Sequence, residues 1–296
     1  MEVFINALAE GSVWAVMGLG IFISFRILNA PDMTTEGSFT LGAGLGGQAM
    51  CFGFHPVVAL GIAFLAGMAA GAITGLLTTR LKLNPLLSGI ITMTGLYSIN
   101  LKMMGAANLS LSGQKTFKTL LAALHLPRNV DTLMIGLVVT LILIALMSAF
   151  FKTEMGQALI ATGDNRQMAK SLGIDAQGME MLGYMLANGI IACSGVLVAN
   201  SYGYADISMG IGTVVIGLAS IIIGEVLLRN VSLPMRLVTI LLGSVVYRLL
   251  LSGVLLLKFE ANDFKLFSAI IVGFCLFIPT LRYHLNLNKI HVKKED

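Results

Sequence analysis

The side chains that could do chemistry in this chain are few, and the most telling are charged or amide groups inside long apolar runs. Glu10 interrupts the run 3–25 and Arg248 the run 236–257. An unpaired arginine at mid-span costs on the order of 3 kcal/mol even on the most lenient insertion scale. Counted from the outer ends of their runs, Glu10 is about seven residues deep and Arg248 about nine. At about 1.5 Å per residue the two reach similar depth. Their chemistry is that of an intramembrane ion pair, either joining two spans or lining a solute path. Two charges that cancel leave little for a ligand, which favours the structural role. Glu225, near the inner end of its run, can reach headgroup water or Arg229 one turn on. Asn100, Asn188 and Asn200 are expected to bond neighbouring helices rather than solute. Glu10 is nearly the only acid expected deep in a span. No HExxH, GxSxG or Walker lysine loop occurs. His55, His125, His284 and His291 fall in loops or near span ends. Cys51, Cys193 and Cys275 lie in apolar stretches without metal-ligand spacing and read as small buried hydrophobes. Hydrolytic enzymes and metal sites are therefore not indicated, and ATP hydrolysis would have to come from another chain.

The elements that hold these groups are set by composition. Hydrophobic residues make up 56% of the 296 residues and charged ones 11%, with a mean hydropathy of +0.88. Soluble domains carry about 25% charge, so this is a membrane protein. Gaps between charges predict an all-α, polytopic transmembrane helix bundle of about nine spans, a single domain over 1–296. The spans are 3–25, two within 37–79 parted at His55-Pro56, 83–101, 132–151, 181–205, 207–228, 236–257 and 266–281. No basic region precedes the first apolar run, so no cleaved signal peptide is expected. With the C-terminus inside, the cytosol collects Arg26, Arg80, Lys82, Lys152, Arg166, Lys170, Arg229, Arg236 and the basic tail. Outside stand Lys102, Lys115, Lys118, Arg128, Lys258 and Lys265. This excess of about two to one inside predicts an external N-terminus. The external loop 103–131 holds a short apolar piece, Leu120–Leu124, too short to cross. It either docks an external partner or caps the bundle.

The polar stretch 152–180 predicts two short helices. For the second, Asp164 is the expected N-cap, Gln167 completes a capping box, and Gly173 is the stop. Met168 and Leu172 lie one turn apart on one face, with Ala169 beside them and Arg166 and Lys170 on the others. Such a helix either fits a groove on a partner or lies on lipid headgroups. An internal echo is also present. Asp32 is followed by Gly37, Ser38 and Gly42, and Asp206 by Gly212, Thr213 and Gly217. Spans 1–4 and 6–9 are then candidate inverted repeats, with those six small residues as the candidate substrate path. The competing explanation is the similarity any two Gly-rich helices share.

Four segments carry a family resemblance: GSVWAVMGLG (11–20), FRILNAPDMTTEGSFTLGA (25–43), ATGDNRQMAKSLGI (161–174) and VIGLAS (215–220). In order and spacing the chain resembles bacterial ATP-binding-cassette importer permeases of the branched-chain amino acid and ribose type. It is closest to the branch thought to carry amino acids such as tryptophan. The resemblance implies that Gly163, Asp164, Asn165, Met168, Ala169, Leu172 and Gly173 couple to a cytosolic ATPase. It also implies an external solute-binding protein, a second permease copy, and residence in the bacterial plasma membrane. The chain itself would be no enzyme and would bind no cofactor, ATP sitting on the partner subunit. Two other classes remain open on residues alone. An ion-coupled secondary transporter would want more intramembrane acids, and an intramembrane enzyme a nucleophile and base. Orientation is directly testable: single cysteines at 108–118 should react with an impermeant reagent from outside and those at 164–170 should not. Labelling at 166 in sealed right-side-out vesicles overturns it.

Overall fold

The computed structural model describes residues 2–121, 130–228 and 231–256, with isolated positions between 266 and 277. Helix α1 (Glu2–Ile21) runs on into a π-helical turn, Phe22–Ile27. Then follow α2 (Thr34–Cys51), α3 (Pro56–Thr79), α4 (Pro85–Met104), β1 (Asn108–Ser110), α5 (Phe117–Leu121) and α6 (Val130–Phe150). The chain continues through α7 (Glu154–Asp164), α8 (Arg166–Ser171), α9 (Ala176–Tyr202), β2 (Tyr204–Asp206), α10 (Thr213–Leu227) and α11 (Leu233–Leu256). Helices occupy eight of the expected spans, and 266–281 lies largely outside the described residues. Among the described residues, 5 helices are long and apolar enough to cross a membrane. The helical expectation holds apart from one short ladder, β1 antiparallel to β2 with Leu109 opposite Ala205.

Local chemistry explains most helix ends. Pro56 and Pro85 each open a helix, where a missing N–H costs nothing. Before them, His55 Nδ1 accepts from the Val57 amide at 3.3 Å and Asn84 Oδ1 from the Leu86 amide at 2.9 Å. Two boundaries differ from expectation. The seventh span does not begin at 207. Gly203 (φ 77°) and Gly212 (φ 83°) take left-handed conformations, and Asp206 Oδ1 accepts from the Ser208 amide at 2.8 Å, so the chain turns until Thr213. The short outer helix begins at Phe117 rather than Leu120, and 122–129 lies outside the described residues. It is pinned to the end of α9, as the Phe117 amide donates to Asn200 Oδ1 at 3.0 Å and Lys118 Nζ to the Ser201 carbonyl at 2.8 Å.

Contacts sort the connections onto two faces. One joins β1, β2 and α5. The other joins the C-terminal end of α1, the end of α3 and the polar stretch, through Asn29 Nδ2 to the Gly163 carbonyl (3.2 Å) and Gln177 Nε2 to the Thr79 carbonyl (3.4 Å). This alternation is the one the charge pattern requires. Helices α1 and α9 are mostly buried, while α3 and α6 turn apolar rows outward, among them Leu65, Ile73, Val138 and Leu146.

Helix α9 is the centre, and glycines let its neighbours close on it. Gly67, Gly71 and Gly75 of α3 recur every fourth residue along it. A Cβ at Gly67 would run into the Asn188 carbonyl, and one at Gly71 into that of Tyr184. Gly42 and Gly46 of α2 do the same against Ala192 and Val196. With no hydrophobic effect between helices in lipid, this close backbone approach supplies the packing energy.

Glu10 and Arg248 do meet. Arg248 Nη1 lies 2.8 Å from Glu10 Oε2, with side chains 7% and 37% exposed. The guanidinium also sits 4.5 Å from the centre of the Trp14 ring, which stacks on Phe39 at 5.5 Å. The pair and the stack thus tie α11, α1 and α2 together at one depth. Arg229, the partner expected for Glu225, lies outside the described residues. Arg26 holds Glu225 in a two-pronged grip at 2.8 and 3.0 Å.

Two expectations follow. Gly71→Ala should lower thermal stability by about 1–3 kcal/mol through overpacking. Gly61→Ala, which meets nothing within 4 Å, should leave it unchanged or slightly raised. For the ion pair, Glu10→Gln alone should destabilise more than Glu10→Gln combined with Arg248→Met. With the Glu10 side chain 37% exposed, the coupling should be about 1 kcal/mol. Additive effects in that cycle would show that the two charges are energetically independent.

Candidate translocation site and coupling segment

The site is built around the connection between α1 and α2. Asp32 is fully buried there. Its Oδ1 accepts from the Thr34 amide at 2.9 Å and its Oδ2 from Asn188 Nδ2 at 2.7 Å, while Asn188 Oδ1 accepts from Ser38 Oγ at 2.7 Å. Asp206 makes the same turn, accepting from the amide and hydroxyl of Ser208, but is more open to solvent. There the Ser208 hydroxyl leads in holding the carboxyl below its ordinary range. The internal echo therefore has a local structural meaning: each aspartate accepts from the amide two residues on, ahead of a Gly-rich helix. The halves cannot be compared throughout, because 266–281 lies largely outside the described residues.

The two helix starts also meet. Glu36 Oε1 accepts from the Gly212 amide at 2.9 Å, and Gly210 lies so close to the Glu36 carbonyl that a Cβ would not fit. Beside this junction a cavity of about 270 Å³ opens between α2, α4 and the connection 207–211. Gly37 lines it, abutting Leu96 and the Met93 backbone midway along α4. Gly212 and Thr213 adjoin it, Thr213 Oγ1 donating to the Gly210 carbonyl at 2.7 Å. The other three candidates lie in helix packing: Ser38 on Asn188, Gly42 on Ala192, Gly217 on Ile21. Asn100 bonds a neighbouring helix as expected, its Nδ2 donating to the Gly37 carbonyl at 3.1 Å.

Glu10 is not the lone deep acid. Asp32 and Glu36 both lie inside the bundle, and a span boundary drawn at the last charge before residue 37 hid them. The overlooked signal is the run of capping types Asp32, Thr34 and Thr35 just before Gly37. A start just after Asp32 brings Glu36 into the first turn.

In the polar stretch the second helix is one residue out of register with expectation. Asp164 ends α7 in helical geometry, so it cannot cap α8. Asn165 takes the extended conformation and does so, its Oδ1 accepting from the Met168 amide at 3.0 Å. The capping box with Gln167 therefore does not form. Gly173 is the stop, at φ 82°, with the Ile174 amide donating to the Ala169 carbonyl and the Gly173 amide to that of Lys170. Met168 and Leu172 are exposed together, at 46% and 69%. Ala169 is buried against its own chain and faces away from any partner, because each helical residue turns about 100° from the last. Arg166 is drawn to Glu180 at 3.0 Å. Gly163 packs directly under the Ile27 carbonyl, so α7 is seated on the C-terminal end of α1.

Comparison with known proteins agrees with this architecture. The family described as branched-chain amino acid transport system / permease component matches residues 3–279. A tyrosine transport system permease protein of Clostridioides difficile (strain R20291) is 37% identical over 293 residues, 99% of this chain and 96% of that protein. An uncharacterised protein of Rickettsia prowazekii (strain Madrid E) is 32% identical over 284 residues, 94% and 96% of the two chains. The autoinducer 2 import system permease protein LsrC of Yersinia enterocolitica is 28% identical over 247 residues, 82% and 66%. Among solved structures, PsaBC from Streptococcus pneumoniae in complex with Fab aligns with a TM-score of 0.55 over 97% of this chain and 94% of that one. At 17% identity the likeness is one of fold. With the family matched over nearly its whole length, this chain belongs to the permease components of branched-chain amino acid transport systems, the membrane-spanning subunits of ATP-binding-cassette importers.

Proposed function

We propose that this permease carries an amino acid across the bacterial plasma membrane, as one of two copies energised by cytosolic ATPase subunits and supplied by an external solute-binding protein. The solute class is supported by the Clostridioides difficile relative, whose name specifies tyrosine transport. The N-terminus is external, and the polar stretch and C-terminal tail face the ATPase. ATP is bound by the partner subunits and no cofactor by this chain. The face formed by β1, β2 and α5 then receives the binding protein, and the two copies pair about a two-fold axis.

One observation carries the coupling role: Met168 and Leu172 stand exposed side by side on a helix capped at both ends. Apolar anchors one turn apart are what a groove-docking helix presents. Behind them the chain is firmly seated, by Ala169 in the interior, Arg166 on Glu180 and Gly163 under Ile27. A displacement of α8 by closing ATPase subunits is therefore passed to α9 and to the inner end of α1, from which Arg26 reaches Glu225 on α10. Alternating access follows as α10 and α2 change places relative to the cavity.

The rival account lays α8 on lipid headgroups. The two diverge for Leu172→Asp. In the coupling account the protein inserts normally, but co-purification of the ATPase and solute-stimulated hydrolysis are lost by about tenfold or more, as for an apolar hot spot. A Leu172→Asp complex that assembles and transports as the wild type does would refute the coupling role and leave a lipid-bound helix.

A further inference from the structure

The cavity beside Glu36 has a chemistry that the family match leaves unassigned. Its one charged wall is Glu36, whose Oε1 accepts from the Gly212 amide. Among the described residues no lysine, arginine or histidine forms an ion pair with it. Asn100 also lines it; its Nδ2 donates to the Gly37 carbonyl, and its Oδ1 is buried without a donor. The remaining walls are mostly apolar or aromatic, with Met93, Tyr97, Ile207 and Ile211, and carry the hydroxyls of Thr40 and Thr94, which donate to the Glu36 and Ile90 carbonyls of their own helices. No lining residue is a cation that could hold a carboxylate. A carboxylate half-buried in an apolar bundle is stabilised most by a positive charge at contact distance, and an aromatic face adds attraction for ammonium or for a second ring. At about 270 Å³ the cavity lies just below the usual 300–1,000 Å³ of drug-sized sites, which suits a small metabolite.

We infer that this cavity is a binding site for the ammonium end of an amine-bearing solute with an apolar or aromatic body, Glu36 being the counter-ion. The assignment deepens the amino-acid reading and rests on it for the solute, but it is tested by occupancy rather than transport. The competing role for Glu36 is purely structural, a cap on the N-terminus of α10 through Gly212. Glu36→Gln separates the two, since a glutamine carbonyl still accepts from the Gly212 amide while the charge is gone.

The full chain with its ATPase, in lipid nanodiscs, carries Ile211→Cys as reporter after replacement of Cys51, Cys193 and Cys275. Ile211 lines the cavity and is exposed, so an occupant should slow its reaction with a thiol reagent. L-tyrosine and tyramine are expected to slow labelling, and 3-(4-hydroxyphenyl)propionate, which lacks the amine, is not. Glu36→Gln should raise the concentration of either amine needed for protection by about tenfold or more, with thermal stability unchanged. Protection that survives Glu36→Gln, protection by the deaminated acid at equal concentration, or no protection by either amine overturns the site. Uptake by proteoliposomes with the binding protein is a separate measurement. Absence of amino-acid uptake by the wild type, with protection intact, would fell the importer reading and leave the ammonium site standing.

Discussion

Asn188 stands near the middle of α9, and much of the bundle is arranged to satisfy its amide. Its Nδ2 donates both to Asp32 and to the Tyr184 carbonyl, the latter at 3.0 Å, while the amide oxygen accepts from Ser38. Away from water, an amide or carboxylate left unpaired costs about 1–3 kcal/mol or more, so these three groups must come together for any of them to be buried. That requirement decides where the chain turns after α1 and where α2 begins. It also needs α3 to close over the same point, which Gly67 permits by bringing its backbone onto the Asn188 carbonyl. The polar hub and the glycine contacts therefore depend on each other: the hub orients α9, and the glycines bring the other helices near enough to seal it from water.

From this centre α1 is held differently at its two ends. Toward its N-terminal end, the nearly buried Arg248 binds Glu10 and covers Trp14, which in turn stacks on Phe39 of α2. At the C-terminal end the contacts are lighter and more exposed. Arg26 and Glu225 are 49% and 25% exposed, a setting in which an ion pair adds little stability and serves mainly to hold geometry. The helix there is a π-turn, Phe22–Ile27, with Asn29 beyond it at a positive φ of 51°. Such widened turns are frequent where a helix has a task besides spanning. This segment touches α7, α9 and α10, so under the proposed coupling role a displacement of α7 and α8 would reach the bundle interior through it.

Local chain chemistry made many of these features legible. His55-Pro56 and Gly173 mark helix ends in any context, because a missing amide and a left-handed glycine act within one turn. Glu10 and Arg248 could be paired by depth because the bilayer makes distance along a span a usable coordinate. The same locality explains the misplacements. Asp164 and Asn165 are both good caps, and the choice between them fell to how far α7 could continue while Gly163 was pressed beneath Ile27. Ala169 turned inward for a related reason: only a methyl group suits the face that α8 lays on the rest of the chain.

By itself, then, the sequence determined that this is a helical membrane protein, where most of its helices begin and end, which loops share a face, and that α8 presents Met168 and Leu172 together. Those properties arise from short-range backbone chemistry and from a solvent that sorts residues by polarity. The tertiary structure alone decided that Asp32 and Glu36 lie inside the bundle, that α10 starts against Glu36, and that a cavity remains between them. Burial there is decided by neighbours distant in the chain, by Asn188 for Asp32 and by Gly210 and Gly212 for Glu36. A charge next to an apolar run is polar surface until another backbone comes close enough to cover it.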